Sequence, residues 1–121
     1  KNSERKLIAS DIGRCMKLSP DGTQMYFVLK SNPAEWFIYA MNCKSFALNR
    51  ITSTLPHSED FAVLPDGNLI MGNEGKLYLF ENISGWKMIA DFSSDLKDFY
   101  RLAVNREGTL LALVAFTGEK P

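Results

Sequence analysis

Leu64-Pro65-Asp66-Gly67, set between Asp60-Phe61-Ala62-Val63 and Asn68-Leu69-Ile70-Met71, decides how this chain is read. Proline presets φ at the first turn position, aspartate bonds the backbone amides just beyond it, and glycine takes the position with φ > 0. Two apolar runs joined in this way make a tight β-hairpin. The motif recurs as Ser19-Pro20-Asp21-Gly22 and, without its proline and aspartate, as Asn105-Arg106-Glu107-Gly108. The three glycines Gly22, Gly67 and Gly108 lie 45 and 41 residues apart. That is the period of a four-stranded propeller blade.

The flanking segments repeat as well. Cys15-Met16-Lys17-Leu18 and Arg101-Leu102-Ala103-Val104 stand where Asp60-Phe61-Ala62-Val63 stands, as inner strands. Second strands follow at 24–29, 68–71 and 109–115, nearly continuous apolar runs of the kind covered on both faces. Third strands are expected at 35–40 and 76–80, and fourth strands at 48–52 and 86–90. Lys6-Leu7-Ile8-Ala9 echoes Lys87-Met88-Ile89-Ala90, so a fourth strand of a preceding blade is expected over 1–10.

The fold expected is therefore all-β: a partial β-propeller of about two and three-quarter four-stranded antiparallel blades. The blades run over 13–53 and 58–91, and 98–117 gives the first two strands of the next. Only 93–98 leaves room for one short helical turn. A propeller hides its sheet edges by closing into a ring, which two and three-quarter blades cannot do alone. The remaining blades, from the same or another chain, are the first partner expected.

Composition narrows the function. The chain has 121 residues, 45% of them hydrophobic and 23% charged, an ordinary globular balance. Fourteen basic residues offset fourteen acidic ones, so the basic excess of a nucleic-acid binder is missing. The longest apolar run, Leu110 to Phe116, is too short for a membrane-spanning helix. Lys1 to Lys6 is charged, with no apolar signal region behind it, which leaves the compartment open. Cys15 and Cys43 are expected as two separate buried thiols.

The run from Thr54 to Gly67 with Leu69-Ile70-Met71-Gly72 resembles segments of TolB-like six-bladed propeller proteins. Gly13-Arg14-Cys15, and Arg101-Leu102-Ala103-Val104 with Leu111-Ala112-Leu113-Val114, are similar to neighbouring segments of those proteins. The resemblance extends from about Ile8 onward, and the Pro-Asp-Gly turns are shared with WD40-like and other propellers. It implies a six-bladed ring and a periplasmic or extracellular setting. It implies no reaction, because one propeller fold hosts many functions.

Aligning the repeats at their turns puts Arg14, Glu59 and Tyr100 in one register, with Cys15, Asp60 and Arg101 next. Inner strands line a propeller's channel, so Arg14, Glu59, Asp60 and Arg101 are expected at its mouth with Tyr100 and His57. Two readings are open: a site for a polar ligand, peptide end or metal, and an inter-blade salt-bridge network in which Arg101 bonds carboxylates across blades. Calcium is the one metal weighed, with Glu59 and Asp60 as ligands; no other cofactor is called for. His57, the only histidine, cannot build a multi-histidine metal site and reads as a solvated loop residue. With Ser58 beside it, it lacks the Gly-x-Ser-x-Gly elbow of a hydrolase.

Gly72-Asn73-Glu74-Gly75 reads as a hairpin rather than a phosphate loop, and Trp36 and Trp86 read as packing residues. Asn82-Ile83-Ser84 matches a glycosylation acceptor, meaningful only in a eukaryotic secretory protein. The function expected is a non-catalytic scaffold binding a protein or peptide at the channel face. The alternatives are a small-ligand or calcium-binding propeller, and the propeller part of a hydrolase or lactonase.

Overall fold

The computed structural model describes residues 5–118, and over them the chain is all-β, with no helix. Nothing among the described residues is therefore a helix long and apolar enough to cross a membrane. Four strands, β1 (Ile12–Leu18), β2 (Gln24–Leu29), β3 (Phe37–Asn42) and β4 (Leu48–Ser53), form the first sheet. β5 (Phe61–Val63), β6 (Leu69–Asn73), β7 (Lys76–Glu81) and β8 (Gly85–Asp91) form the second. β9 (Asp98–Val104) and β10 (Leu111–Phe116) form a two-stranded third. Neighbours pair in sequence order and antiparallel throughout. This is the topology of two propeller blades followed by the inner half of another.

The repeated turns close the three inner hairpins alike. The amide of Gly22 donates to Ser19 O at 2.9 Å, that of Gly67 to Leu64 O at 2.8 Å, and that of Gly108 to Asn105 O at 3.0 Å. All three glycines have positive φ, at 76°, 91° and 75°. Asp21 and Asp66 each accept from the amide two residues on, at 3.0 Å. In the third turn, which lacks that aspartate, Asn105 Oδ1 takes the task and accepts from Thr109 N at 2.8 Å and Leu110 N at 2.9 Å. Glu74 and Gly75 both have positive φ (53° and 80°), which makes the β6–β7 connection a hairpin turn twisted to match its strands.

Two apolar interfaces hold the sheets face to face. Cys15, Val28 and Ile38 of the first sheet meet Phe61, Leu69, Met71 and Phe80 of the second. On the other side of the second sheet, Ala62, Ile70 and Leu77 meet Phe99 and Leu102 of the third. β6 is thus covered on both faces, Leu69 and Met71 toward one neighbour and Ile70 toward the other, which explains its unbroken apolar run. Fully burying a side chain such as Phe61, Ile38 or Met71 contributes about 1.5–3 kcal/mol.

Close approach at the second interface depends on Gly72. A Cβ there would meet Phe99 Cδ2 at 2.5 Å and Phe99 Cβ at 2.8 Å. The Ser93 segment makes the one short turn expected of it, with Leu96 N donating to Phe92 O at 2.8 Å.

Three expectations are corrected. The outer strand expected over 1–10 is not formed over residues 5–9, and residues 1–4 lie outside the described residues. That strand was expected to pair within a preceding blade; the third strands described, β3 and β7, are each already paired on both sides within their own sheets. Cys43 is half-buried rather than buried, because it sits in the β3–β4 turn; both cysteines are free thiols. β9 begins at Asp98 instead of Arg101, since its ladder with β10 extends to Phe116.

Candidate functional site

The inner strands break their ladders where the register of Arg14, Glu59 and Tyr100 predicts a site. β1 is irregular between Ile12 and Met16, so Arg14 leaves the regular pairing with β2. The β9–β10 register shifts between Leu113 and Ala115, opposite the stretch from Phe99 to Leu102 that carries Tyr100 and Arg101. In the middle blade β5 starts only at Phe61, leaving Glu59 and Asp60 ahead of the ladder. Irregularities of this kind re-aim side chains that a regular pleat would hold to one face or the other.

Re-aimed, these side chains meet. Arg14 Nη1 lies 2.9 Å from Glu59 Oε2, and its Nη2 lies 2.5 Å from Asp60 Oδ2. Arg101 Nη1 reaches the other oxygen of Asp60 at 3.4 Å. Lys30 Nζ donates to Glu59 Oε1 at 3.0 Å. One carboxylate of the middle blade, Asp60, thus joins arginines from both neighbouring blades. Its hydrogen bond with Arg14 is the chief cause holding that guanidinium's pKa above its ordinary value, against the opposing effect of burial.

Two features fit the polar cluster into an apolar wall. A Cβ on Gly13 would come within 2.7 Å of Glu59 Oε1, so glycine leaves that carboxylate room to reach Arg14. The Cys15 thiol donates across the blades to Phe61 O at 3.5 Å, and burial pushes its pKa up, keeping it protonated.

The ion pairs tie three blades together at one end of the inner strands. Arg14 and Arg101 are 45% and 63% exposed, but Glu59 and Asp60 are only 13% and 6% exposed, so each pair sets an open guanidinium against a largely buried carboxylate that would be left unpaired without it. The network also fixes where five charges stand.

Of the other predicted residues, Tyr100 lines the same cavity as Glu59 and Asp60, a space of about 410 Å³ that also borders Asp98 and Glu74. His57 stands at its rim, exposed, its ring edge-on to Trp36 with centroids 6.4 Å apart. Ser58 Oγ donates to Gly72 O at 2.8 Å and accepts from Asn73 Nδ2 at 3.1 Å, so it braces the loop and has no bond to His57. Trp86 is half-buried against the first core, and its indole N–H donates across blades to Ser53 O at 2.9 Å.

A calcium site on Glu59 and Asp60 gains no third carboxylate among the described residues. Among the described residues no group of three or more His, Cys, Asp or Glu side chains stands together to hold a metal. Both carboxylates instead face cations.

Two basic residues escaped the sequence reading. Lys30 stands as many residues after Gly22 as Arg14 stands before it, so counting outward on both sides of the hairpin would have found it. Its ammonium also covers the Trp36 ring, 4.5 Å from the centroid. Lys17 reaches across from the first blade to donate to Leu102 O of the third at 2.9 Å, a contact that no local pattern signals. No family model matches the chain, and a search of curated proteins finds no match.

Proposed function

We propose that this chain is part of a TolB-like, six-bladed β-propeller scaffold, periplasmic or extracellular, that binds a protein or peptide partner at its channel face and is not itself catalytic. The observation that carries the reading is the convergence of Arg14, Glu59, Asp60 and Arg101 from three successive blades on one end of the inner strands. They stand beside open cavities, with the carboxylates buried and the arginine ends open to water. Such fixed charges of both signs give a partner register and specificity more than raw affinity.

The ring's other blades are the second partner proposed. Leu18, 53% exposed, stands at the repeat position of Val63 and Val104, each of which packs against the core shared with the preceding blade. β10 pairs with β9 alone, although the equivalent strands β2 and β6 each have a third strand alongside. Leu111–Phe116 carries no charge or proline to protect that open edge.

A photo-cross-linking amino acid at Tyr100 tests the channel-face reading. It should capture a discrete polypeptide, read by mass spectrometry. The same group at Ile83, 99% exposed in the β7–β8 turn at the opposite end of the strands, should not. Equal capture at both positions, or none at Tyr100, would remove the reading.

A further inference from the structure

We infer that the groove running from the Arg14–Asp60 pair along the channel side of the inner strands is a site for a carboxylate joined to a short apolar group. A peptide's C-terminal end is the form this takes if the channel-face reading above holds, on which the inference rests. The groove has a volume of about 350 Å³ and runs between the first and third blades across Asp60. Its charged lining is Arg14, Lys17, Arg101 and Asp60, three cations against one carboxylate. Cys15, Leu102, Ala103 and Leu113 supply an apolar wall.

The balance of charge within this lining selects the ligand. Both oxygens of Asp60 are engaged, one by Arg14 and the other, at the longer distance of 3.4 Å, by Arg101. Arg14 also binds Glu59, so it is the arginine most fully matched. Arg101 has that single long contact and is 63% exposed, leaving most of its five N–H donors turned to the groove or to water. Lys17 touches only the carbonyl of Leu102, and among the described residues it has no carboxylate partner. Even with Lys30 and Glu59 included, four cations face two carboxylates.

A guanidinium fork and an ammonium on opposite blades, with excess positive charge, match the two oxygens of a carboxylate. The apolar wall beside them favours a ligand that carries a hydrophobic group next to its charge. A cation or a neutral sugar would leave that excess unanswered.

The test is a titration of the 15N-labelled chain with three probes: acetyl-Gly-Gly-Leu as the free acid, the same peptide as its C-terminal amide, and hexanoate. The free acid should shift the amide signals of Lys17 and of Arg101 through Ala103. The amide form should bind about tenfold more weakly or worse, the effect of losing one charge-assisted contact. Lys17→Gln and Arg101→Gln should each bring the acid down toward the amide; both sites are solvent-accessible, and the spectrum itself reports whether the variants fold. Hexanoate binding as tightly as the peptide acid would support the carboxylate site and assign it to free aliphatic acids rather than chain ends.

Equal binding of acid and amide, or no binding of any probe, would overturn the inference. Cross-linking at Tyr100 reads the partner independently of this groove. A captured partner with no acid–amide difference would therefore sink the carboxylate site and leave the scaffold reading in place.

Discussion

The two faces of the middle blade carry different interfaces. Toward the first blade it presents Phe61, Leu69, Met71 and Phe80, with Trp36 and Trp86 packed around them. Polar ties cross the same junction: the Trp86 indole to Ser53 O, Cys15 to Phe61 O, and Arg14 to Glu59 and Asp60. Toward the third blade it presents Ala62, Ile70, Leu77 and the bare backbone of Gly72. Among the described residues one ion pair crosses there, the 3.4 Å contact of Arg101 with Asp60. Both junctions are filled by apolar side chains; the first is also cross-linked by hydrogen bonds, while the second seats the Phe99 ring against the bare backbone of Gly72. The difference teaches that one repeat geometry can fill its interface with bulk from both sides, or with a ring on one side where the other carries only a glycine.

Replacing the largest filler should have the largest effect. Phe61, with no exposed surface, loses its ring in Phe61→Ala, and the variant should be destabilised by about 3–5 kcal/mol in urea unfolding. Hydrogen-exchange protection should fall in β1 to β4 at least as far as in β9. Unchanged stability would mean that the first interface is not packed as described.

At the second interface the damage should come from adding an atom. Gly72→Ala drives a methyl into Phe99, and overpacking of this kind costs about 1–3 kcal/mol. Protection should fall first in β9 and β10, with β1 to β4 spared. A loss spread evenly over all three sheets would erase the contrast between the two junctions.

The smallest effect lies outside both interfaces, in the first turn. Asp21 is held to a pKa of about 2, below its ordinary 3.8, chiefly by the Thr23 amide and then by the hydroxyls of Thr23 and Ser19. Its folded pKa is the depressed one, so its contribution is complete above 3.8 and is lost as pH falls toward about 2. Asp21→Asn should flatten that part of the acid-unfolding curve and leave the neutral-pH contrast between the interfaces untouched. A curve of the same slope in the variant would show that the turn aspartate contributes nothing there.

Much of this was legible in the chain itself. The turns at Gly22, Gly67 and Gly108 form as read, because turn chemistry depends on residues two to five positions apart. The unbroken apolar run of β6 announced a strand covered on both faces. The register of Arg14, Glu59, Asp60 and Arg101 was also readable, since a repeat places equivalent residues at equivalent heights.

Less legible was anything that depended on a break in the repeat. Lys6 to Ala9 copies the pattern of a fourth strand, yet pairing needs a neighbouring edge, and a pattern cannot supply one. Strand limits shifted by up to three residues where ladders outran the apolar runs, as at Asp98. Lys30 and Lys17 carry no motif, and their places at the cluster follow from which blades face each other.

By itself, then, the sequence determined three hairpins, their spacing and the all-β character of the chain, because turn formation and strand alternation are local properties. Only the tertiary structure decided that Asp60 would be shared by arginines of two other blades, that Gly72 would admit Phe99, and that Lys17 would stand without a carboxylate among the described residues. Those outcomes depend on how far apart the blades sit and on where the inner strands leave their ladders. Both are set by side-chain volume at the interfaces, a long-range property that no window of neighbouring residues contains.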